Sequence, residues 1–146
     1  MRIGVPKETW PGELRAALAP AGVKKLTGLG FIITVQAGLG DGARIADEEY
    51  RAAGANIAPD ARAAVADADV VVRVRKPADD DLVGLKSGVI HISFLDPFTE
   101  KALVASLAAK GITGISMEMV PRSTRAQKMD ALSSQANLSG YVTVIL

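Results

Sequence analysis

The sequence predicts an α/β fold: a doubly wound, mostly parallel sheet finished by a long C-terminal helix. Three observations predict it. Short β-branched runs alternate with longer alanine-rich stretches of helical period along the 146 residues. The runs DVVVRV (69–74) and VIHISF (89–94) carry little polar alternation, as strands do when helices cover both faces of a parallel sheet. The spacing between strands leaves room for helical crossovers, which are right-handed by rule.

Taken in order, Arg2–Val5 reads as the first strand, closed by Pro6. Ala21–Gly28 reads as a helix, with Pro20 suited to its start and Gly28 or Gly30 to its stop. Phe31–Gln36 is the second strand. Asp47–Ala53 is a helix with an acidic cap, ended by Gly54. Asn56–Ala58 is a short strand, and Asp60–Ala66 a short helix. Asp69–Val74 and Val89–Phe94 are the buried strands. Thr99–Ala109 is a helix capped by Thr99, Ile112–Ser116 a strand, and Thr124 to the end one long helix. The pattern is flavodoxin-like, with no internal repeat, low-complexity tract or linker. The apolar ending YVTVIL has neither cap nor polar tail, and reads as a cut inside a larger protein.

Composition narrows the function. A formal net charge of +1 gives no field that favours nucleic acid or an anionic membrane. Aromatics at 4% leave few stacking platforms for single-stranded nucleic acid. Zero cysteines exclude a disulfide scaffold and a thiolate zinc site. No secretory signal opens the chain, and no window reaches the roughly 18 apolar residues of a membrane span. A soluble chain is expected.

Four features carry candidate chemistry. Gly38-Leu39-Gly40-Asp41-Gly42-Ala43 matches the G-x-G-x-x-A dinucleotide fingerprint. It follows the second strand rather than the first, however, and Arg44-Ile45-Ala46 separates it from the next helix; a glycine-rich connection is the better reading. His91, the only histidine, is either a base or a packed strand residue. With no second histidine, no cysteine and no Ser-His-Asp set, neither metal chemistry nor nucleophilic hydrolysis finds support. Arg73, Arg75 and Lys76 close a strand before Pro77, either as an anion site or as solvated charge.

The fourth feature is the most informative. On a helix from Thr124, Gln127, Asp130, Ser133, Ser134 and Asn137 fall within an arc of about 120°, with Met129, Leu132 and Ala136 opposite, towards a core. Amides, a carboxylate and hydroxyls on one face can read the donors and acceptors of a polar ligand, or can simply face water.

Read whole, PRSTRAQKMDALSSQANLSGY (121–141) resembles the signature segment of the NAD(H)-binding component of proton-translocating nicotinamide nucleotide transhydrogenases. The opening RIGVPKETWPGELRAALAP (2–20) resembles the start shared by that component and alanine dehydrogenase. The resemblance extends over essentially the whole chain. It implies that Arg122, Gln127, Asp130 and Ser133 lie beside a nicotinamide ring, with Gln127 and Asp130 orienting it for direct hydride transfer. It implies NAD(H) as cofactor, NADP(H) on a partner component, no metal, a homodimer, and association with NADP(H)-binding and membrane components. The implied location is cytoplasmic, peripheral to the inner membrane.

The same resemblance implies that residues 1–146 form the N-terminal domain, truncated before an NAD-binding Rossmann domain, and that the isolated fragment is inactive. The alternatives are the N-terminal domain of an alanine dehydrogenase, or a non-catalytic dimerisation or regulatory module. Alanine dehydrogenases resemble the chain at Arg15. They carry a lysine at the position of Arg75 and a histidine at that of Asp96, which are their proton-handling groups, and arginine cannot replace lysine as an acid or base near neutral pH.

Overall fold

The computed structural model describes residues 1–145. Six strands, β1 (Arg2–Val5), β2 (Ile32–Gln36), β3 (Asn56–Ala58), β4 (Val70–Val72), β5 (Ile90–Ser93) and β6 (Thr113–Ser116), form one sheet. Its order is β3-β2-β1-β4-β5-β6, and every pairing is parallel. The chain therefore starts at the centre, winds outward to β3, and returns to wind the other way from β4, as a doubly wound sheet does. The sequence left this order open.

Helices α1 (Pro20–Gly28) and α2 (Asp47–Ala52) cover one face, and α3 (Ala61–Val65) and α4 (Lys101–Ala109) the other. Val23 of α1 and Tyr50 of α2 pack with Ile3, Val5, Ile33 and Val35. The Tyr50 hydroxyl is satisfied by donating to the Leu18 carbonyl at 3.0 Å. Across the sheet, Val65 and Ala68 meet Val71 and Val89, while Leu103 and Leu107 meet Leu82, Leu95 and Ile112. Gly4 makes the α3 contact possible, because a Cβ there would lie 2.5 Å from the Ala64 carbonyl oxygen. The first face is covered unevenly: over β5 and β6, Ile90 and Ile92 are half-buried and Ile115 is exposed.

Local chemistry sets the helix starts. Asp60 caps α3 by accepting the Ala63 amide at 2.8 Å. At α2 the Glu49 carboxylate accepts the Ala46 amide at 3.0 Å, while the expected cap Asp47 turns back to the Gly38 amide at 2.9 Å. Thr99 does not cap α4, which begins two residues later, behind Glu100.

The long C-terminal helix also needs correcting at its start. Helix α5 spans Ala131–Ile145 and does not begin at Thr124. Asp130, at φ −73° and ψ 93°, is extended, and Gln127–Met129 before it form a single 3-10 turn. The expected core face is absent as well: Met129 and Leu132 are exposed, and Ala126 is the residue of this segment that packs inward. No residue of α5 is buried, and Leu138, Tyr141, Val142, Val144 and Ile145 all face outward.

The core can be tested at two points. Gly4→Ala forces α3 away from the sheet and should cost about 1–3 kcal/mol in urea unfolding. His91 is fully buried on the α3–α4 side, with Nε2 lacking any partner among the described residues and Nδ1 3.4 Å from Ser93 Oγ. Burial, reinforced by the nearby Arg73 guanidinium, pushes its pKa from 6.5 down to about 4. The unfolded chain therefore takes up this proton first as pH falls, so stability should drop between about pH 6.5 and about pH 4, by up to about 3 kcal/mol. The difference in unfolding free energy between the parent chain and His91→Gln, measured across that window, reads this contribution; a pH-independent difference would contradict it.

Candidate functional site

Residues 6–19 carry the chain from β1 across the carboxyl edge of the sheet to α1, and two carboxylates fasten them there. Glu8 accepts the backbone amides of Val74 at 2.6 Å and Arg75 at 3.1 Å, just past the end of β4. Glu13, with its side chain only 4% exposed, accepts Arg15 Nε and Nη2, each at 2.7 Å, and Arg75 Nε at 2.9 Å. The Arg15 hydrogen bonds outweigh burial and, with Arg75, hold the Glu13 carboxyl down at about 2. Trp10 completes the clasp: its indole N–H donates to the Lys76 carbonyl at 3.1 Å, and Lys76 Nζ stands 5.4 Å from the ring centroid while pairing with Glu100.

Opposite this loop stands the entry to α5. Asp130 caps the helix by accepting the Ser133 amide at 3.0 Å through one oxygen and the Ser133 hydroxyl at 2.6 Å through the other. Arg122 folds back over the cap, with Nε 3.6 Å from Asp130 Oδ2 and Nη2 3.4 Å from Ser133 Oγ. The Ser133 hydrogen bonds, with the Arg122 charge, hold the Asp130 carboxyl below the usual carboxylate range. These groups, with Ser123, Thr124 and Gln127, line an open cleft of about 310 Å³. Arg122 and Asp130 also wall a neighbouring crevice of about 320 Å³, into which Arg15, Arg75, Phe94 and Gln135 project.

All four residues singled out in this segment, Arg122, Gln127, Asp130 and Ser133, thus meet in one cleft. A turn and a helix cap bring them together, not a shared helix face. Ser134 and Asn137 do not line it. Of the strand-end cations, Arg75 joins the adjoining crevice, whereas Arg73 is buried in a pair with Asp81 at 2.6 Å, beside His91 and away from the cleft. The Gly38–Ala43 loop turns its amides inward: Gly38 N–H goes to Asp47, and Lys7 pairs with Asp41 at 2.7 Å. Asp96 sits in the left-handed region at φ 51° and does not line the Arg15–Arg75 crevice. Sequence reading missed Glu8 and Glu13. Their one signal was an acidic residue two positions before Arg15, inside a loop too long for a tight connection.

A doubly wound parallel sheet with a polar cleft at its carboxyl edge, beside a helix N-terminus, defines a ligand-facing α/β domain of the nucleotide-handling kind. The family described as alanine dehydrogenase/PNT, N-terminal domain, matches residues 4–139, and the chain belongs to that family. It is 45% identical over 150 residues to an NAD(P) transhydrogenase subunit alpha chain of Rhodospirillum rubrum, covering 99% of this chain and 39% of that protein. The crystal structure of transhydrogenase from Sinorhizobium meliloti superimposes with a TM-score of 0.94 at 43% identity, over 99% of this chain and 43% of that one. Alanine dehydrogenase of Mycobacterium tuberculosis is more distant, at 38% identity over 120 residues, covering 82% of this chain and 32% of that protein. The chain thus spans about two fifths of the length of these transhydrogenase relatives.

Capping and ligand contact by Asp130 are separable. Asp130→Ala removes the acceptor of the Ser133 amide, so amide hydrogen exchange over residues 131–134 should accelerate several-fold while the sheet amides stay protected. Asp130→Asn retains an acceptor oxygen and should leave those rates near their original values.

Proposed function

We propose that this domain supplies the nicotinamide-facing wall of the NAD(H) site in a proton-translocating NAD(P) transhydrogenase. The observation that carries the reading is the convergence of Arg122, Gln127, Asp130 and Ser133 on one open cleft at the start of α5. The donor set suits a carboxamide: Gln127 offers both an N–H pair and a carbonyl, Asp130 accepts, and Arg122 donates. Family membership and the likeness to transhydrogenase alpha subunits support the same assignment.

Bound NADH supplies the hydride; the chain's own groups hold and orient. Gln127 and Asp130 fix the plane of the ring, Arg122 bridges the ring side of the cleft to the helix cap, and Ser133 holds the Asp130 carboxylate in place. Asp130 stays ionised at neutral pH, as its lowered pKa requires, and acts as a hydrogen-bond acceptor rather than an acid. Such catalysis needs no acid, base or metal from the protein. It depends on holding two rings at near-contact distance with water excluded. The second ring belongs to NADP(H) on a partner component. A homodimer, an NADP(H)-binding component and a membrane component complete the proposed assembly, with this domain on its cytoplasmic side, peripheral to the inner membrane. Among the described residues no helix is long and apolar enough to cross a membrane.

Alanine dehydrogenase is the second reading, favoured by Arg15 and by the more distant relatives. Arg75 and Asp96 stand against it: neither can shuttle the proton that pyruvate reduction with ammonia demands.

In the complete component, Asp130→Asn and Gln127→Asn should slow NADH-to-NADP⁺ hydride transfer by about tenfold or more while changing NADH affinity far less. Stopped-flow transfer rates alongside equilibrium NADH titration separate the two effects, and wild-type rates in both variants would remove these residues from the mechanism. Residues 1–146 alone should show no saturable NADH binding at micromolar concentration, and the complete component should not reduce pyruvate with ammonia.

A further inference from the structure

Helix α5 carries two of the four proposed ring-orienting groups at its first turn, Asp130 and Ser133, yet buries none of its own residues. Its position is therefore set by few contacts. Among the described residues, one side-chain hydrogen bond reaches α5 from the sheet domain before residue 121: Arg15 Nη1 donates to Gln135 Oε1 at 3.2 Å. Arg15 is not free to wander. Glu13 grips its Nε and Nη2 together, which leaves Nη1 as the corner of the fork that points at the helix. Glu13 is itself fixed, 4% exposed and tied to Arg75 at the end of β4. Ala131 and Gln135, one turn apart, line with Arg15 the same recess against Phe94 and Met117.

We infer that Glu13 is a positioning residue for the nicotinamide cleft, acting through Arg15 and Gln135 to set where α5, and with it Asp130 and Ser133, stands against the sheet. The inference rests on the proposed NAD(H) reading and adds the device that aligns its site. A strut of this kind matters because displacing a reacting ring by about 1 Å can cost on the order of a hundredfold in rate.

The test uses the complete transhydrogenase, comparing Glu13→Gln, Gln135→Met, the double variant Glu13→Gln/Gln135→Glu, and Asp130→Asn as a reference. Glu13→Gln should lower kcat for transhydrogenation about fivefold to tenfold with KM for NADH within about twofold. Gln135→Met, an exposed helix substitution that leaves the core intact, should lower it likewise. The double variant should recover at least half of the loss, because a carboxylate on α5 lets Arg15 grip the helix directly. A role confined to anchoring the loop would not respond to a change on α5. Loss in Glu13→Gln without recovery in the double variant overturns the strut, as does a wild-type rate in Gln135→Met. If Asp130→Asn slows transfer while Gln135→Met does not, the strut fails and the NAD(H) reading stands. If Asp130→Asn is also without effect, both fall.

Discussion

The hold of Glu8 and Glu13 on the end of β4 is the constraint on which the rest of the structure depends. In a doubly wound sheet the chain must leave β1 at the point where the strand order reverses, and β4 ends beside it with amides that no strand can satisfy. Val74 and Arg75 would be left with unpaired donors; the Glu8 carboxylate takes both. An almost fully covered carboxylate such as Glu13 is tolerable only because two guanidiniums meet it. Residues 6–19 are thereby turned from a loose crossover into a wall, and the space where an α/β sheet commonly receives its ligand is moved outward, to the gap between that wall and α5.

This displacement explains why the cleft lies where it does. The glycine-rich loop after β2 has helix α2 close behind it, yet its first amide is held by Asp47 and its aspartate by Lys7, so the amides a phosphate would need are already engaged. At α5 the helix N-terminus is likewise capped internally, by Asp130. There, however, the cap belongs to the cleft, and Arg122 brings a charge over it from eleven residues upstream. Polar groups are exposed in both places. Only at the second do an amide, a carboxylate, a hydroxyl and a guanidinium share one opening.

The strands were legible in the sequence because β-branched runs such as 69–74 and 89–94 state their burial on both faces. The helix starts were less so. Whether Asp47 or Ala46 stands at the cap depends on where the Gly38 amide lies, and that is a tertiary fact. The cleft was legible in its membership but not in its geometry. A helical period from Thr124 grouped Gln127, Asp130 and Ser133, yet Asp130 breaks the helix by capping it, and the i to i+3 link from Asp130 to Ser133 is a cap contact and not a shared face. Glu13 was not legible as a site residue at all, since its importance comes from Arg75, 62 residues away.

The same carboxylate bears on which chemistry the domain can host. Two guanidiniums on one carboxylate leave this cluster with a net positive charge that does not titrate near neutrality: Glu13 is held ionised, and the Glu13 hydrogen bonds raise the pKa of Arg15 further. A lysine in place of Arg75 would be able to release a proton when desolvated, so the crevice could then serve as a relay. With arginine it is an electrostatic fixture. A fixed charge beside the cleft suits a reaction in which geometry must be held and no proton moved, as hydride transfer between two nicotinamides requires, and it leaves a dehydrogenase that must protonate and deprotonate its substrate without its acid. The choice between the two chemistries therefore comes down to whether the charge at one strand end can leave, and at Arg75 it cannot.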